Sequence, residues 1–290
     1  MLAATLSLSL LATGSCCPNL RLPMSTSYPA ETLLIEGPDA MAFAHAQFSS
    51  NVSSLATGQW QFSAWLDPQG RVRALFHLAR LADDRYLVLL RGGSAAAMIE
   101  ALRRFVFRSK LSLTALPPRV LATGPSMLLH AISDDTEILS LGCDTHSLQI
   151  TAADIGDDAW RLPQLRAGWP WLPTQTLNEL LPAALSLQRL QAVAIDKGCY
   201  PGQEIVARLH YRGGHKRHLH SVTLSQAADA GDMLSDGDRE VGCVLDAITA
   251  QDCIAALVVL TDDVAAQAHD GHLHPLNDDL MIHLETSWPA

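Results

Sequence analysis

The alternation of apolar and polar residues predicts strands in the first third of the chain. In 60–66 and again in 72–78, apolar side chains occupy every second position, which is typical of strands with one buried face. The intervening Asp67-Pro68-Gln69-Gly70 has the composition of a turn, so the two strands are predicted to form a β-hairpin. Further strands are predicted over 32–36 and 85–91.

Two helices are predicted to alternate with these strands. Gly37-Pro38-Asp39 is typical of a helix start, and the helix is expected to run to about Phe48. Residues 94–107 have a helical apolar side formed by Met98, Ile99, Leu102, Phe105 and Val106. Strand, helix, hairpin, strand and helix together predict an α+β domain.

Beyond Pro117-Pro118 the pattern weakens, and short strands are predicted at 127–130, 137–141 and 147–151. The segment 160–173 is rich in Trp and Pro, which favours a rigid loop lining a cavity over a regular element. After Gly213-Gly214 only strands follow, which predicts a small all-β unit of the barrel type. Those strands are expected at 219–224, 240–245, 253–260 and 280–284.

Composition narrows the class of protein. The chain has 290 residues, enough for about two domains, and its net charge of -10 argues against general coating of nucleic acid. Its six cysteines contain no C-x-x-C pair, so we expect no structural disulfides and a reducing, cytoplasmic location. No segment reaches the ~18 consecutive apolar residues that a membrane-spanning helix needs.

The N-terminus resembles an export signal only superficially. Residues 2–12 are mostly apolar, but no Lys or Arg precedes Arg21, so the positive region of a signal peptide is missing. We interpret Met24 as the real start, which makes 1–23 a non-native or disordered N-terminal extension.

The segment 197–205 places the thiol of Cys199 between Gly198 and Gly202. Glycines allow positive φ angles and leave the sulphur unshielded, and Lys197 beside it would stabilise a thiolate, the form that attacks electrophiles or binds metal. A buried cysteine in a tight turn is the plainer alternative, because free cysteine is among the most buried residue types. The glycine and lysine neighbours favour a reachable thiol.

The same segment begins a basic island. Between Lys197 and Arg217 the chain carries five cations and only one carboxylate, Glu204, so its local potential would attract an anionic ligand. A solvated face balanced by nearby carboxylates explains the charges equally well. The cations are Lys197, Arg208, Arg212, Lys216 and Arg217.

Histidines and tryptophans offer weaker signals. The histidines cluster at 210–220 and again at 269–274, but they lack a recognised metal-ligand spacing, so no metal site is predicted. Trp160 has two interpretations, a platform for a stacked ring or a core aromatic, and without further context the core is favoured.

The motif resembles a known signature. Residues 197–204, followed by Val206-Ala207-Arg208 and 213–217, are similar to the K-G-C-Y-x-G-Q-E signature of YgfZ-type folate-binding proteins. These proteins are related to the T-protein of the glycine cleavage system, an aminomethyltransferase that acts on tetrahydrofolate. The matching motif residues are Lys197, Gly198, Cys199, Tyr200, Gly202, Gln203 and Glu204.

The resemblance implies a three-part α+β fold, with two interleaved α+β parts and a small C-terminal β-barrel. On this chain the parts are expected at 24–115, 116–215 and 216–290, with the motif in the second. The chain departs from the family at two places. A tryptophan of some relatives is absent from the Pro29-Ala30-Glu31 region, which puts one wall of the folate site in doubt, and a common asparagine is Ser186 here.

The resemblance further implies a tetrahydrofolate-binding accessory factor for assembly or repair of iron–sulphur clusters, serving enzymes that include tRNA-thiolating radical enzymes. Cys199 would be its functional thiol and Trp160 would contact folate, while Lys197, Arg208 and Arg212 attract the folate glutamate tail by charge. Its partners would be folate and iron–sulphur client or assembly proteins, without direct DNA binding or a membrane, and with only an indirect effect on tRNA. We expect a monomer.

Two other functions stay open at this point. A folate-dependent aminomethyltransferase of the glycine cleavage type is disfavoured, because the chain is short for that enzyme and the K-G-C-Y signature belongs to the other branch. An RNA-contacting module built on the basic island is disfavoured by the net acidity and by the scarcity of aromatic residues in that island.

Overall fold

The computed structural model describes residues 28–135, 137–152, 156–250, 253–268, 274–276 and 280–288. The predicted N-terminal extension, the start at Met24, and His269 and His272 of the second histidine cluster therefore lie outside the described residues. No helix in the described ranges has the length and apolar character needed to cross a membrane.

Strands outnumber helices throughout. In chain order the elements are β1 Pro29–Ala30, β2 Thr32–Glu36, α1 Ala40–Gln47, β3 Gln59–Leu66, β4 Val72–Ala82, β5 Arg85–Leu90, α2 Ala95–Leu102, β6 Ser112–Ala115, β7 Arg119–Gly124, β8 Ile132–Asp134, β9 Ile138–Gly142, β10 Ser147–Thr151, α3 Arg161–Arg166, α4 Gln203–Arg212, β11 Arg217–Leu224, β12 Met233–Asp236, β13 Arg239–Ala250, β14 Cys253–Thr261, α5 Asp262–Gln267, β15 His274–Leu276 and β16 Leu280–Trp288. Short 3-10 helices lie at Val52–Ser54, Arg103–Phe105 and Thr174–Thr176.

The first sheet confirms the predicted hairpin. Its five strands have the order β3-β4-β5-β2-β6, and the hairpin of β3 and β4 turns at the Asp67–Gly70 segment, where the amide of Gly70 donates to the carbonyl of Asp67 at 2.9 Å. Residues of α1 and α2 pack on one face of this sheet in a hydrophobic cluster with β2, β4 and β5. One face of this sheet is therefore covered by the two helices, and the other face belongs to the core that the three sheets share.

The helix predicted over 94–107 is shorter than expected. Regular α-helix ends at Leu102, and a 3-10 turn follows at Arg103–Phe105. Of the residues predicted on the apolar side of this helix, Phe105 is exposed, whereas Val106 packs against the core as predicted.

The second sheet interleaves with the first. Its order is β1-β7-β10-β9-β8, so the chain starts in this sheet with β1, crosses to the first sheet for β2–β6, and returns with β7. The strands predicted at 137–141 and 147–151 are confirmed, whereas 127–130 is a loop and turn and the strand lies at β8 instead. Strands β6 and β7 flank Pro117-Pro118. They were not predicted, because proline is unfavourable inside a strand.

The third part is an antiparallel sheet of six strands, in the order β12-β13-β14-β11-β16-β15. All four strands predicted after Gly213-Gly214 are present, but the prediction that only strands follow is wrong, because the helix α5 follows β14. Within the described ranges no ladder joins the edge strands β12 and β15, so the structure shows an open sheet order and a closed barrel stays a prediction.

The three sheets share one core. The largest hydrophobic cluster combines Trp60 from β3, Leu148 from β10, Leu187 from the following loop and Leu257 from β14, all nearly inaccessible to solvent. Burial of a common apolar surface, at about 25 cal/mol per Å², therefore holds the parts against one another. This packing positions the motif loop, which lies between the second and third sheets in the chain.

Candidate functional site

The motif loop is anchored at one end by Lys197. Its ammonium group donates to the carbonyl oxygens of His45 at 2.6 Å, Phe48 at 2.5 Å and Ser50 at 2.8 Å. These carbonyls lie at and just beyond the C-terminal end of α1, where carbonyls lack helical partners and favour a cation. Burial lowers the pKa of Lys197 to about 8. Lys197 therefore attaches the motif to α1.

Tyr200 anchors the loop at the other end. Its ring is buried, its hydroxyl donates to the carbonyl of Ala194 at 2.9 Å, and the Lys197 ammonium lies 4.9 Å from the ring centroid. Burial raises the pKa of Tyr200 to about 12, so the hydroxyl stays a neutral donor. The side-chain amide of Gln203 closes the loop by donating to the carbonyl of Lys197 at 3.0 Å.

Gly202 lets the loop meet the hairpin turn of the first sheet. It has φ +78° at the N-cap of α4, and a Cβ there would lie 2.5 Å from the Asp67 carbonyl oxygen. Gly70 in the turn has φ +79°, and its Cβ would lie 3.0 Å from the side chain of Ile205. Only glycine combines a left-handed φ with this approach of two backbones. The two motifs seen in the sequence, 67–70 and 197–205, thus touch.

Cys199 is exposed and free between these anchors. A Cβ placed on its neighbour Gly198 would meet nothing within 4 Å, so the approach to this part of the loop is open. The predicted reachable thiol is confirmed, and the alternative of a buried cysteine in a tight turn is wrong. By contrast, burial raises the pKa values of Cys143 and Cys243 to about 11, which keeps both as inert thiols.

The three predicted cations are not gathered around one ligand site. Arg208 and Arg212 are exposed, four residues apart on α4, whereas the ammonium of Lys197 is fully used by backbone carbonyls. All three stay predictions as contacts of a folate tail. Among the described residues, no three His, Cys, Asp or Glu side chains are arranged to hold a metal ion, and His218 pairs with Asp262 at 2.5 Å.

Trp160 lies in the core. Only 1% of it is exposed, its indole N–H donates to the Asp157 carbonyl at 2.9 Å, and its ring packs 5.6 Å from Tyr28 and 5.0 Å from Trp171, measured between centroids. The structure favours the core interpretation that the residue types alone had favoured. Contact between Trp160 and a folate ring stays a prediction.

A buried arginine, Arg91, was missed by the sequence analysis. It is inaccessible to solvent and donates to the carbonyls of Pro170 at 2.8 Å and Trp169 at 2.8 Å, and to the side-chain oxygen of Gln164 at 2.9 Å. Its guanidinium also lies 4.4 Å from the Trp171 ring centroid. Burial lowers its pKa to about 9, so it stays protonated at neutral pH. The sequence does contain a signal for this residue, because Arg91 is a charged residue directly after the apolar run of β5 and before two glycines.

Arg91 holds two residues that line a cleft. The cleft has a volume of about 550 Å³ and lies between the β9–β10 turn and α3, and Gln164 and Trp169, both held by Arg91, form part of its wall. The cysteine motif and the predicted cations lie elsewhere. The lining residues are Leu129, Cys143, Asp144, Thr145, His146, Leu162, Pro163, Gln164, Arg166, Ala167 and Trp169.

Known proteins resemble this chain over most of its length. Residues 29–121 match the GCVT N-terminal domain family. An uncharacterized protein of Haemophilus influenzae is 28% identical over 262 residues, spanning 86% of this chain and 91% of that protein. The tRNA-modifying protein YgfZ of Aliivibrio fischeri strain MJ11 is 26% identical over 279 residues, spanning 85% and 87%.

A solved structure shares the fold. The glycine cleavage system aminomethyltransferase T of Bartonella henselae matches with a TM-score of 0.66 and 16% identity, covering 92% of this chain and 86% of that one. At this identity the likeness concerns the fold alone. Together these comparisons confirm the predicted resemblance to the YgfZ proteins and the T-protein-like α+β fold.

Proposed function

We propose, from this relation to the YgfZ proteins, that the chain is a tetrahydrofolate-binding accessory factor that supports assembly or repair of iron–sulphur clusters. Its clients would include enzymes that thiolate tRNA, which accords with the tRNA-modifying role in the names of the relatives. The observation that carries the proposal is the exposed Cys199 thiol on a loop held at both ends by Lys197 and Tyr200. We place the factor in the cytoplasm as a monomer.

The geometry of Cys199 suits contact with a second protein. One thiolate is too few ligands for an iron–sulphur cluster, so the remaining ligands must come from a client or from a small thiol. A thiol on an open, anchored loop can meet such a partner without rearrangement of the core. The chain's own contribution is then to position the sulphur.

The cleft behind the β9–β10 turn fits a folate. Its volume of about 550 Å³ lies within the ~300–1,000 Å³ typical of small-molecule sites. Leu162 and Trp169 supply apolar walls for flat rings, while His146 and Gln164 supply polar groups. Arg166, exposed on the cleft, has the charge to meet a carboxylate tail. When bound, tetrahydrofolate would supply a carrier for one-carbon units.

Titration with tetrahydrofolate, followed by intrinsic tryptophan fluorescence, tests the site. We expect Trp169 in the cleft to be quenched and Arg166→Gln to weaken binding about ten-fold, as for loss of a charge-assisted hydrogen bond. Arg212→Gln is the matched control, an equally exposed arginine that lies outside the cleft. A loss of affinity in Arg212→Gln alone would show that the folate tail binds at α4 and not in the cleft. Absence of binding by the wild type would refute the folate role.

The role of the thiol is tested in a strain that lacks its own YgfZ protein, with thiolated tRNA nucleosides measured by chromatography. Cys199→Ser is expected to give no restoration of thiolation, because serine cannot supply a thiolate. Cys253→Ser is the control, since Cys253 is also exposed and free but lies on β14. Full restoration by Cys199→Ser would contradict the proposal.

A further inference from the structure

A second basic segment, distinct from the motif, follows α2. Its six side chains are all exposed, and we call this surface the basic ridge. The ridge combines four cations with two aromatic rings, and Phe107 is the most exposed large hydrophobic residue among those the structure describes, at 79%. It consists of Arg103, Arg104, Phe105, Phe107, Arg108 and Lys110.

The local backbone forces these rings outward. Val106 lies between Phe105 and Phe107 and packs against the hydrophobic cluster under α2. A turn follows, in which the amide of Ser109 donates to the Val106 carbonyl at 2.9 Å and Arg108 takes the left-handed φ of +70°. Anchoring Val106 inward therefore turns its two phenylalanine neighbours to solvent.

The rings and the cations are already organised as stacks. The guanidinium of Arg104 lies 4.8 Å from the Phe105 ring centroid, and that of Arg108 lies 5.2 Å from the Phe107 centroid. Arg103 pairs with Glu100 at 2.7 Å, and in the described part of the chain no ion pair neutralises Arg104, Arg108 or Lys110. A nearby carboxylate, Asp39, accepts a hydrogen bond from the Lys110 backbone amide at 2.6 Å.

We propose that the basic ridge binds a single-stranded segment of RNA. Cations on both sides of the two exposed rings match the phosphates and bases of such a strand, because each base can stack on a ring while a guanidinium meets the backbone. An acidic protein would favour a continuous apolar patch, whereas here an arginine stacks on each of the two rings. Unpaired bases are needed for stacking, which disfavours a duplex. The charge of -10 on the whole chain repels RNA elsewhere.

The ridge lies on the side of the molecule that carries the hairpin turn. Arg73, stacked on Trp65 at 4.0 Å, has its pKa lowered by burial and by Arg104, and raised by Asp67. Asp67 in turn touches Gly202 of the motif loop. From the sequence we expected only an indirect effect on tRNA, whereas RNA bound at the basic ridge would be a direct contact.

Fluorescence anisotropy with a labelled 12-nucleotide single-stranded RNA tests the proposal. Phe107→Ala is expected to weaken binding about 5-fold or more and Phe107→Tyr to retain it, because stacking needs a ring. The double change Arg104→Gln and Arg108→Gln should lower the salt dependence, the slope of log K against log salt, by about 1.4. Tyr211→Ala is the matched control, a ring 75% exposed on α4, and should bind as the wild type does.

These outcomes separate the ridge from the other surfaces. Equal binding by wild type and Phe107→Ala, or loss in Tyr211→Ala instead, would overturn the proposal. If polyglutamate binds as tightly as RNA and Phe107→Leu loses nothing, the ridge is a surface for acidic proteins, which also overturns it. Binding is measured without folate and with Cys199 intact, so failure here leaves the folate and thiol tests unaffected.

Discussion

At the scale of single residues, the motif contains two kinds of glycine. Gly202 has a left-handed φ and stands against the Asp67 carbonyl, whereas Gly198 has neither a positive φ nor a neighbour within 4 Å. The first is required by the packing of two loops, and the second leaves access to the thiol. Two glycines of the same motif therefore have separate roles, one in stability and one in access to the thiol.

This difference makes a prediction. Gly202→Ala is expected to lower the free energy of unfolding by about 2 kcal/mol or more, because alanine is strained in the left-handed region and its Cβ would overlap the Asp67 carbonyl. Gly198→Ala is the matched control and should change it by less than about 0.5 kcal/mol. Urea denaturation measures both. Equal effects of the two substitutions would show that the motif backbone is not held against the turn.

At the scale of elements, one buried side chain connects the end of a strand to α3 and to the loop that follows α3. Arg91 follows β5 and holds the 164–171 segment by donating to two backbone carbonyls and one amide oxygen. The tryptophan-rich stretch 160–173 was predicted as a rigid loop lining a cavity and not as a regular element, which is wrong for 161–166, where α3 forms. Trp169 does line the cleft, and the rigidity comes from a cation that local composition does not reveal.

Removing this cation should loosen the loop. Arg91→Met removes the donor of the Trp169 and Pro170 carbonyls, at about 1–3 kcal/mol each, while the Gln164 side-chain oxygen keeps the indole N–H of Trp171, so a loss of at least about 2 kcal/mol is expected. Arg91→Lys should not restore it, because an ammonium cannot reproduce the planar fork. Arg71→Met, which breaks an exposed 3.9 Å pair with Glu179 and an exposed 3.4 Å hydrogen bond to the Asn178 carbonyl, should cost less than about 1 kcal/mol. Comparable losses at both arginines, in urea denaturation, would contradict this account.

At the scale of the whole molecule, neutral histidines are buried in all three parts. Burial lowers the pKa values of His77 in the first sheet and His146 beside the second, and it lowers that of His220 in the third to about 4. In the unfolded chain the pKa of a histidine is about 6.5. Between about pH 6.5 and these lower values the unfolded chain binds more protons than the folded chain, so stability falls as the pH falls.

Acid sensitivity is therefore expected below about pH 6.5. Relative to wild type, His220→Gln should reduce the fall in the free energy of unfolding between pH 6 and pH 5 by up to about 1.4 kcal/mol, the value for one proton per pH unit. His210→Gln is the control, because His210 is exposed on α4. Urea denaturation at pH 7, 6 and 5 measures the slopes. A His220→Gln slope equal to that of the wild type would exclude this residue as a source.

Much of the fold was predictable where the apolar period is clear. The 59–82 hairpin and the strands of the third part appear in the alternation of apolar and polar residues, and α2 appears in its helical apolar side, because each buries one face. The helix α1 was predicted from its Gly37-Pro38-Asp39 start. The predictions were wrong where local signals conflict with packing. The α-helix ends at Leu102, earlier than predicted, and Phe105 beyond it is exposed although Val106 still packs on the core. Strands β6 and β7 form beside prolines because partner strands are available.

The sequence by itself determined the α+β class, the resemblance to the YgfZ proteins and the reachable Cys199, because each depends on residue types in short, contiguous patterns. Only the tertiary structure decided that Lys197 serves α1, that Trp160 is enclosed, and that Arg91 stands behind a cleft. It also decided that the phenylalanines after α2 face solvent. These outcomes depend on carbonyls, rings and sheets that lie tens of residues away along the chain, and their contacts exist only once the three parts have packed on a common core.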